Sequence, residues 1–135
     1  GALGVDTLTG GAGKDNFVIT AQFTTTTGID KITDFVAGTD KIVTDTTVAT
    51  QTKANSLTDL RASDLSASAN VGAAAASAVT AAGGTAAKDV VLFTYQSKVY
   101  AIANDGANSA FTDGTDLIVD ITGVTGTVTT ADFIA

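Results

Sequence analysis

The chain of 135 residues contains no cysteine, proline, methionine, tryptophan or histidine, and all fourteen of its acidic residues are aspartate. Without cysteine there is no disulfide framework and no thiol chemistry. Without histidine or cysteine, the commonest general base, the soft-metal ligands and the thiol nucleophile are gone, which weighs against most acid–base and covalent catalysis. The lack of glutamate weighs against a protein rich in exposed helix, because glutamate is a good helix former, whereas aspartate suits turns and calcium loops. Basic residues are few: seven Lys and Arg leave a net charge of −7. That balance argues against nucleic acid or anionic membranes as partners and favours divalent cations. No apolar run approaches the roughly 18 residues of a membrane helix, so no transmembrane segment is expected, and no N-terminal signal pattern is present. The length suits a single domain, 1–135, with one hydrophobic core.

What is present is most informative at the start. Gly1–Val18 divides into two consecutive nine-residue units, Gly1-Ala2-Leu3-Gly4-Val5-Asp6-Thr7-Leu8-Thr9 and Gly10-Gly11-Ala12-Gly13-Lys14-Asp15-Asn16-Phe17-Val18. Aligned, they share Gly at the first and fourth positions, Asp at the sixth and a bulky apolar residue at the eighth. This is the calcium-binding nonapeptide G-G-x-G-x-D-x-U-x, complete in the second unit and altered at Ala2 in the first. Calcium takes six to eight oxygen ligands, mainly carboxylates and carbonyls. Glycines let the turn adopt positive φ so that carbonyls can face the ion, Asp supplies charge, and the apolar residue begins a strand. Gly and Asp are also ordinary turn residues, so one copy alone would read as a plain turn. Two copies in register make Gly1, Gly4, Asp6, Gly10, Gly11, Gly13 and Asp15 candidate metal-site residues.

The segment resembles the end of an RTX (repeats-in-toxin) array. Gly28-Ile29-Asp30-Lys31-Ile32-Thr33-Asp34-Phe35 with Gly38-Thr39-Asp40-Lys41-Ile42 is similar to the segment closing the β-roll of serralysin-type proteases. The resemblance covers residues 1–45 closely. Beyond them it is looser, to the C-terminal export modules of type I-secreted surface proteins, S-layer proteins among them. It implies that two nonapeptides form one coil, whose turns stack on those of the next. With two clear units, the Asp15 turn needs an upstream turn or carboxylates from further along, for which Asp30 and Asp34 are the candidates. Alternation around Ile32 would equally place both on a solvated strand face. Asp40 is expected to hold its own turn in preference to ligating. Lack of cysteine fits passage through a secretion channel unfolded, as the resemblance implies, and a chain opening on the first residue of a repeat is expected to be a fragment of something longer.

The expected fold is mainly β: a short parallel β-roll stub over 1–45, continuing into a sheet or sandwich-like C-terminal region over 46–135 with one Ala-rich helix. Asn16–Thr20 is expected as a strand, and the repeat decays over the Thr-rich Ala21–Thr27. Thr44–Leu65 reads as linker, with a short helix at Leu57–Arg61 started by Ser56 and Asp59 in capping-box spacing. Asn70–Ala82 reads as a helix, capped by Asn70, stopped by Gly83-Gly84, with Val71, Ala75 and Val79 on one face. Val90–Gln96 and Lys98–Asn104 read as a β-hairpin, with Tyr95 and Tyr100 as half-buried hairpin aromatics. Asn104-Asp105-Gly106 and Asp113-Gly114-Thr115-Asp116 read as turns, the second also having the chemistry of a calcium loop. Asp116–Thr122 and a short piece at Val128 are expected strands, and the acidic-then-apolar ending Asp132-Phe133-Ile134-Ala135 resembles the tail of type I secretion substrates.

These readings point to a non-enzymatic, calcium-folded C-terminal module of a secreted bacterial cell-surface protein, exported by type I secretion machinery. The alternatives are a self-assembling subunit of an S-layer lattice, fibre or adhesin, or the tail of an RTX hydrolase. An enzyme would have to use paired carboxylates such as Asp113 and Asp116 as acid and base.

Overall fold

The structure, a computed structural model, describes residues 4–19, 28–44, 53–86, 88–104 and 109–134. Its strands are β1 (Thr7–Leu8), β2 (Asn16–Val18), β3 (Asp30–Ile32), β4 (Lys41–Val43), β5 (Ser56–Asp64), β6 (Asp89–Tyr95), β7 (Lys98–Ala103), β8 (Leu117–Asp120) and β9 (Phe133–Ile134). One α-helix, α1 (Val71–Ala81), and one 3₁₀ turn, Thr130–Asp132, complete the described elements. Among the described residues the protein is thus mainly β with a single α-helix. No helix among the described residues is long and apolar enough to cross a membrane.

Six strands form a mixed sheet in the order β1-β3-β8-β7-β6-β5, and three form an all-parallel sheet in the order β2-β4-β9. The chain passes from the first sheet to the second three times, as β1–β2, β3–β4 and β8–β9. Each pass lies in parallel register on the one before: Leu8 on Ile32 in the large sheet, and Phe17 on Ile42 on Phe133 in the small one. The C-terminal strands therefore extend both sheets begun by the first residues.

Three layers result. Phe17, Ile42 and Phe133 of the small sheet pack on Ile32, Leu92, Ala101 and Val119 of the large one. The opposite face of the large sheet, carrying Val91, Phe93, Tyr95, Tyr100, Ile102 and Ile118, is covered by Ala74, Ala75, Ala78 and Val79 of α1. A strand covered on both faces has no polar side to show, which is why β6 to β8 read as nearly continuous apolar runs. Alternate residues simply go to alternate cores.

α1 begins and ends where its composition dictates. The Asn70 side chain accepts the Ala73 N–H at 2.9 Å. At the other end Gly84 N–H returns to Val79 O and Gly83 N–H to Thr80 O, a Schellman closure that needs left-handed glycine at Gly83. Small alanines let the helix lie close on the sheet. The hairpin β6–β7 turns through Gln96 and Ser97, both at positive φ, the two-residue geometry that matches strand twist. Tyr95 and Tyr100 are more deeply buried than half-buried hairpin aromatics would be.

Two expectations are corrected. The segment around Leu57–Arg61 is strand, not linker or helix: β5 pairs in parallel with β6 and bulges between Leu60 and Asp64. The capping-box spacing misleads because Asp59 spends both oxygens on the Arg61 guanidinium, a forked bond that holds the Asp59 carboxyl below its ordinary range. Pairing with a strong neighbouring strand outweighs local helix signals. Nor is Val128 in a strand; it is a buried residue just before the 3₁₀ turn, whose start Thr129 and Asp132 cap reciprocally.

Candidate metal centre

Within the first two passes the five-residue pattern Gly-x-Asp-x-apolar occurs at four places: Gly4 to Leu8, Gly13 to Phe17, Gly28 to Ile32 and Gly38 to Ile42. In every copy the glycine is left-handed, at φ 119°, 123°, 84° and 82°. Each Asp follows two residues later and the apolar residue then enters a strand directed at the core. Register sets Asp6 beside Asp30 and Asp15 beside Asp40.

The two pairs make the same contact. Asp6 N–H donates to Asp30 Oδ1 at 2.9 Å, and Asp15 N–H donates to Asp40 Oδ1 at 3.1 Å. A carboxylate of the second pass thus caps the amide of its counterpart in the first. Asp40 also accepts Val36 N–H at 2.8 Å through Oδ2, so it holds its own turn, as expected, and the preceding one too. Asp34 takes the glycines of the Asp15 turn, accepting Gly10 N–H at 3.0 Å and Gly11 N–H at 2.8 Å. These two donors pull the Asp34 carboxyl below its ordinary pKa.

The third pass repeats the device with Asp132. It is fully buried and accepts Gly38 N–H at 2.8 Å and Thr129 N–H at 2.8 Å, with Lys41 Nζ 3.4 Å away. The tail residues Asp132 and Phe133 are thus a docked element of the fold.

Two carboxylate oxygens break the pattern. Asp15 Oδ2 and Asp30 Oδ2 are buried with no hydrogen-bond partner among the described residues. A buried, unpaired carboxylate oxygen is costly unless something positive meets it. Asp15 lies against Gly10, where a β-carbon would sit 2.6 Å from Oδ2. The first residue of the nonapeptide must therefore be glycine for reasons of space. Beside it is a pocket of about 320 Å³ lined by Leu8, Thr9, Gly10, Asp15, Asn16, Phe17 and Val18.

Of the candidate residues, Gly1 lies outside the described residues. Gly4, Asp6 and Asp30 gather at the start of the large sheet; Gly10, Gly11, Gly13, Asp15 and Asp34 gather in the turns leading to the small sheet. No three acidic side chains among the described residues stand close enough to hold a metal by themselves. An oxygen-seeking cation at Asp15 would draw its remaining ligands from turn carbonyls and water, which calcium accepts. Asp116 serves its own turn, taking Thr112 N–H at 2.8 Å. The inter-pass role of Asp40 has its sequence signal in the five-residue pattern that begins at Gly38, whereas that of Asp132 has no local signal. Comparison with protein-family models, curated proteins and solved structures finds no match.

Proposed function

We propose that the chain is a non-enzymatic calcium-binding C-terminal module of a secreted bacterial cell-surface protein, a short β-roll stub that folds on extracellular calcium and carries a type I secretion signal. The observation that carries the calcium reading is the buried Asp15 Oδ2, without a hydrogen-bond partner among the described residues and seated against a glycine that leaves it room in a complete nonapeptide. The bound ion would supply positive charge to carboxylates that otherwise repel. The chain's own residues do the rest: left-handed glycines shape the turns, Asp30, Asp34 and Asp40 tie each pass to the last, and Leu8, Phe17, Ile32 and Ile42 fill the core.

Export follows from the same balance. Where calcium is scarce, closely spaced aspartates disfavour the folded turns and the chain stays extended; where it is plentiful, binding free energy becomes folding free energy. Calorimetric titration of calcium into the chain tests the site. Saturable heat that is lost in Asp15→Asn supports it, and equal heat in both proteins overturns it.

A second reading, self-assembly into a surface lattice or fibre, is favoured by the unequal ends of the stack. At one end Ala54 N–H caps Phe133 O of β9, whereas β1 and β2 are, among the described residues, the outermost strands of their sheets. Edge strands of this kind can recruit further strands. Sedimentation with and without calcium separates the two readings.

A further inference from the structure

Away from the aspartate turns, a pocket of about 400 Å³ opens where the start of α1 meets the large sheet, lined by Gly28, Ile29, Asn70, Val71, Lys98, Tyr100 and Asp120. Its volume falls in the range of small-molecule sites, mostly apolar with a few convergent polar groups. The polar groups have opposite tendencies. Tyr100 and Asp120 face each other across β7 and β8, and are only 6% and 4% exposed. Asp120 Oδ1 is taken by Thr122 N–H at 2.9 Å, while Oδ2 is 3.7 Å from Lys98 Nζ, too far for a direct hydrogen bond. The Tyr100 hydroxyl has its pKa pushed up to about 12, by burial first and the Asp120 charge second, so it stays protonated.

The wall beside them is electropositive. Lys98, its side chain 56% exposed, forms a loose ion pair with Asp120, Nζ to Oδ2 3.7 Å. The Asn70 side-chain oxygen is spent on Ala73 N–H, which leaves its amide protons as donors. The first turn of α1 contains no acidic residue to balance the positive end of the helix dipole. Ile29 and Val71 supply apolar walls between.

We propose that this pocket binds a small zwitterion, an α-amino acid with an aliphatic side chain. The zwitterion enters between the loosely paired Lys98 and Asp120: its ammonium meets Asp120 Oδ2 and the Tyr100 hydroxyl oxygen, its carboxylate meets Lys98 and the Asn70 amide at the helix start, and its side chain lies on Ile29 and Val71. The assignment is independent of calcium binding.

The test is an NMR titration of the full chain with L-leucine, 3-methylbutylamine, 4-methylpentanoate and glucose, followed at the Tyr100, Lys98 and Asn70 signals. Saturable shifts with leucine are expected, with each singly charged analogue at least about tenfold weaker, the factor expected for losing one charge contact. Lys98→Met, at an exposed position, should weaken leucine binding without weakening the amine, which no longer competes with the Lys98 ammonium for Asp120. Asp120→Asn, which keeps an acceptor for Thr122, should weaken leucine and the amine alike. No saturable shift with leucine, equal binding of the amine alone, preference for glucose, or indifference to Lys98→Met would each overturn the proposal.

Discussion

Asp40 stands beside Asp15 in register and caps it, its Oδ1 accepting the Asp15 N–H at 3.1 Å while its Oδ2 holds Val36 N–H at 2.8 Å. One carboxylate thereby fixes a turn of the second pass and fastens it to the first. Asp40→Ala strands both amides, and stability should fall by about 1–3 kcal/mol, the cost of an unsatisfied buried donor. Urea unfolding measures it; Asp40→Asn, which keeps an acceptor, should lose less.

Gly10→Ala tests space instead of charge. The new methyl would fall 2.6 Å from Asp15 Oδ2 and must displace that side chain. The expected cost is about 1–3 kcal/mol, typical of overpacking, together with weakened calcium binding in a calorimetric titration.

Asp34 gives a dependence on pH. Its native pKa is held below the ordinary 3.8 by the Gly10 and Gly11 amides. A depressed native pKa means that its contribution is complete above pH 3.8 and is lost as pH falls through the native value. The side-chain carboxyl carbon of Asp34 should titrate with a midpoint under 3.8, and the first pass should loosen in that acid window. In Asp34→Asn this acid response should vanish.

Phe93 probes the other core. It is fully buried beneath α1, stacked on Tyr100 with ring centres 5.3 Å apart. Phe93→Ala should cost about 3–5 kcal/mol in thermal or urea unfolding. Provided the variant folds, its calcium titration should match that of the parent chain, because Phe93 belongs to the helix-side core.

The elements legible in the sequence were those fixed by local chemistry. Gly13 and Gly4, fourth in their nonapeptides, share nearly the same left-handed φ, and Asn70 with Gly83-Gly84 bounds the helix as composition implies. The hairpin was visible because β6 and β7 are continuous strand formers. What stayed hidden depended on partners distant in sequence. β5 is strand because β6 lies beside it, and Asp59 is drawn to Arg61 instead of capping. The stacking of Asp30 on Asp6 and Asp40 on Asp15 spans 24 and 25 residues, longer than two nonapeptides, so a nine-residue period could not reveal it. Asp132 reaches Gly38 across 94 residues, beyond any local pattern.

The central claim is that calcium drives the aspartate turns to fold. Circular dichroism with thermal melting, in millimolar calcium and again in excess chelator, tests it most directly. The account predicts that calcium produces the β signal and a cooperative melt that chelator removes. Equal folding in chelator, with an unchanged melting temperature, would contradict it: Asp6 and Asp15 would then be members of ordinary turns, and the fold would rest on its two apolar cores alone.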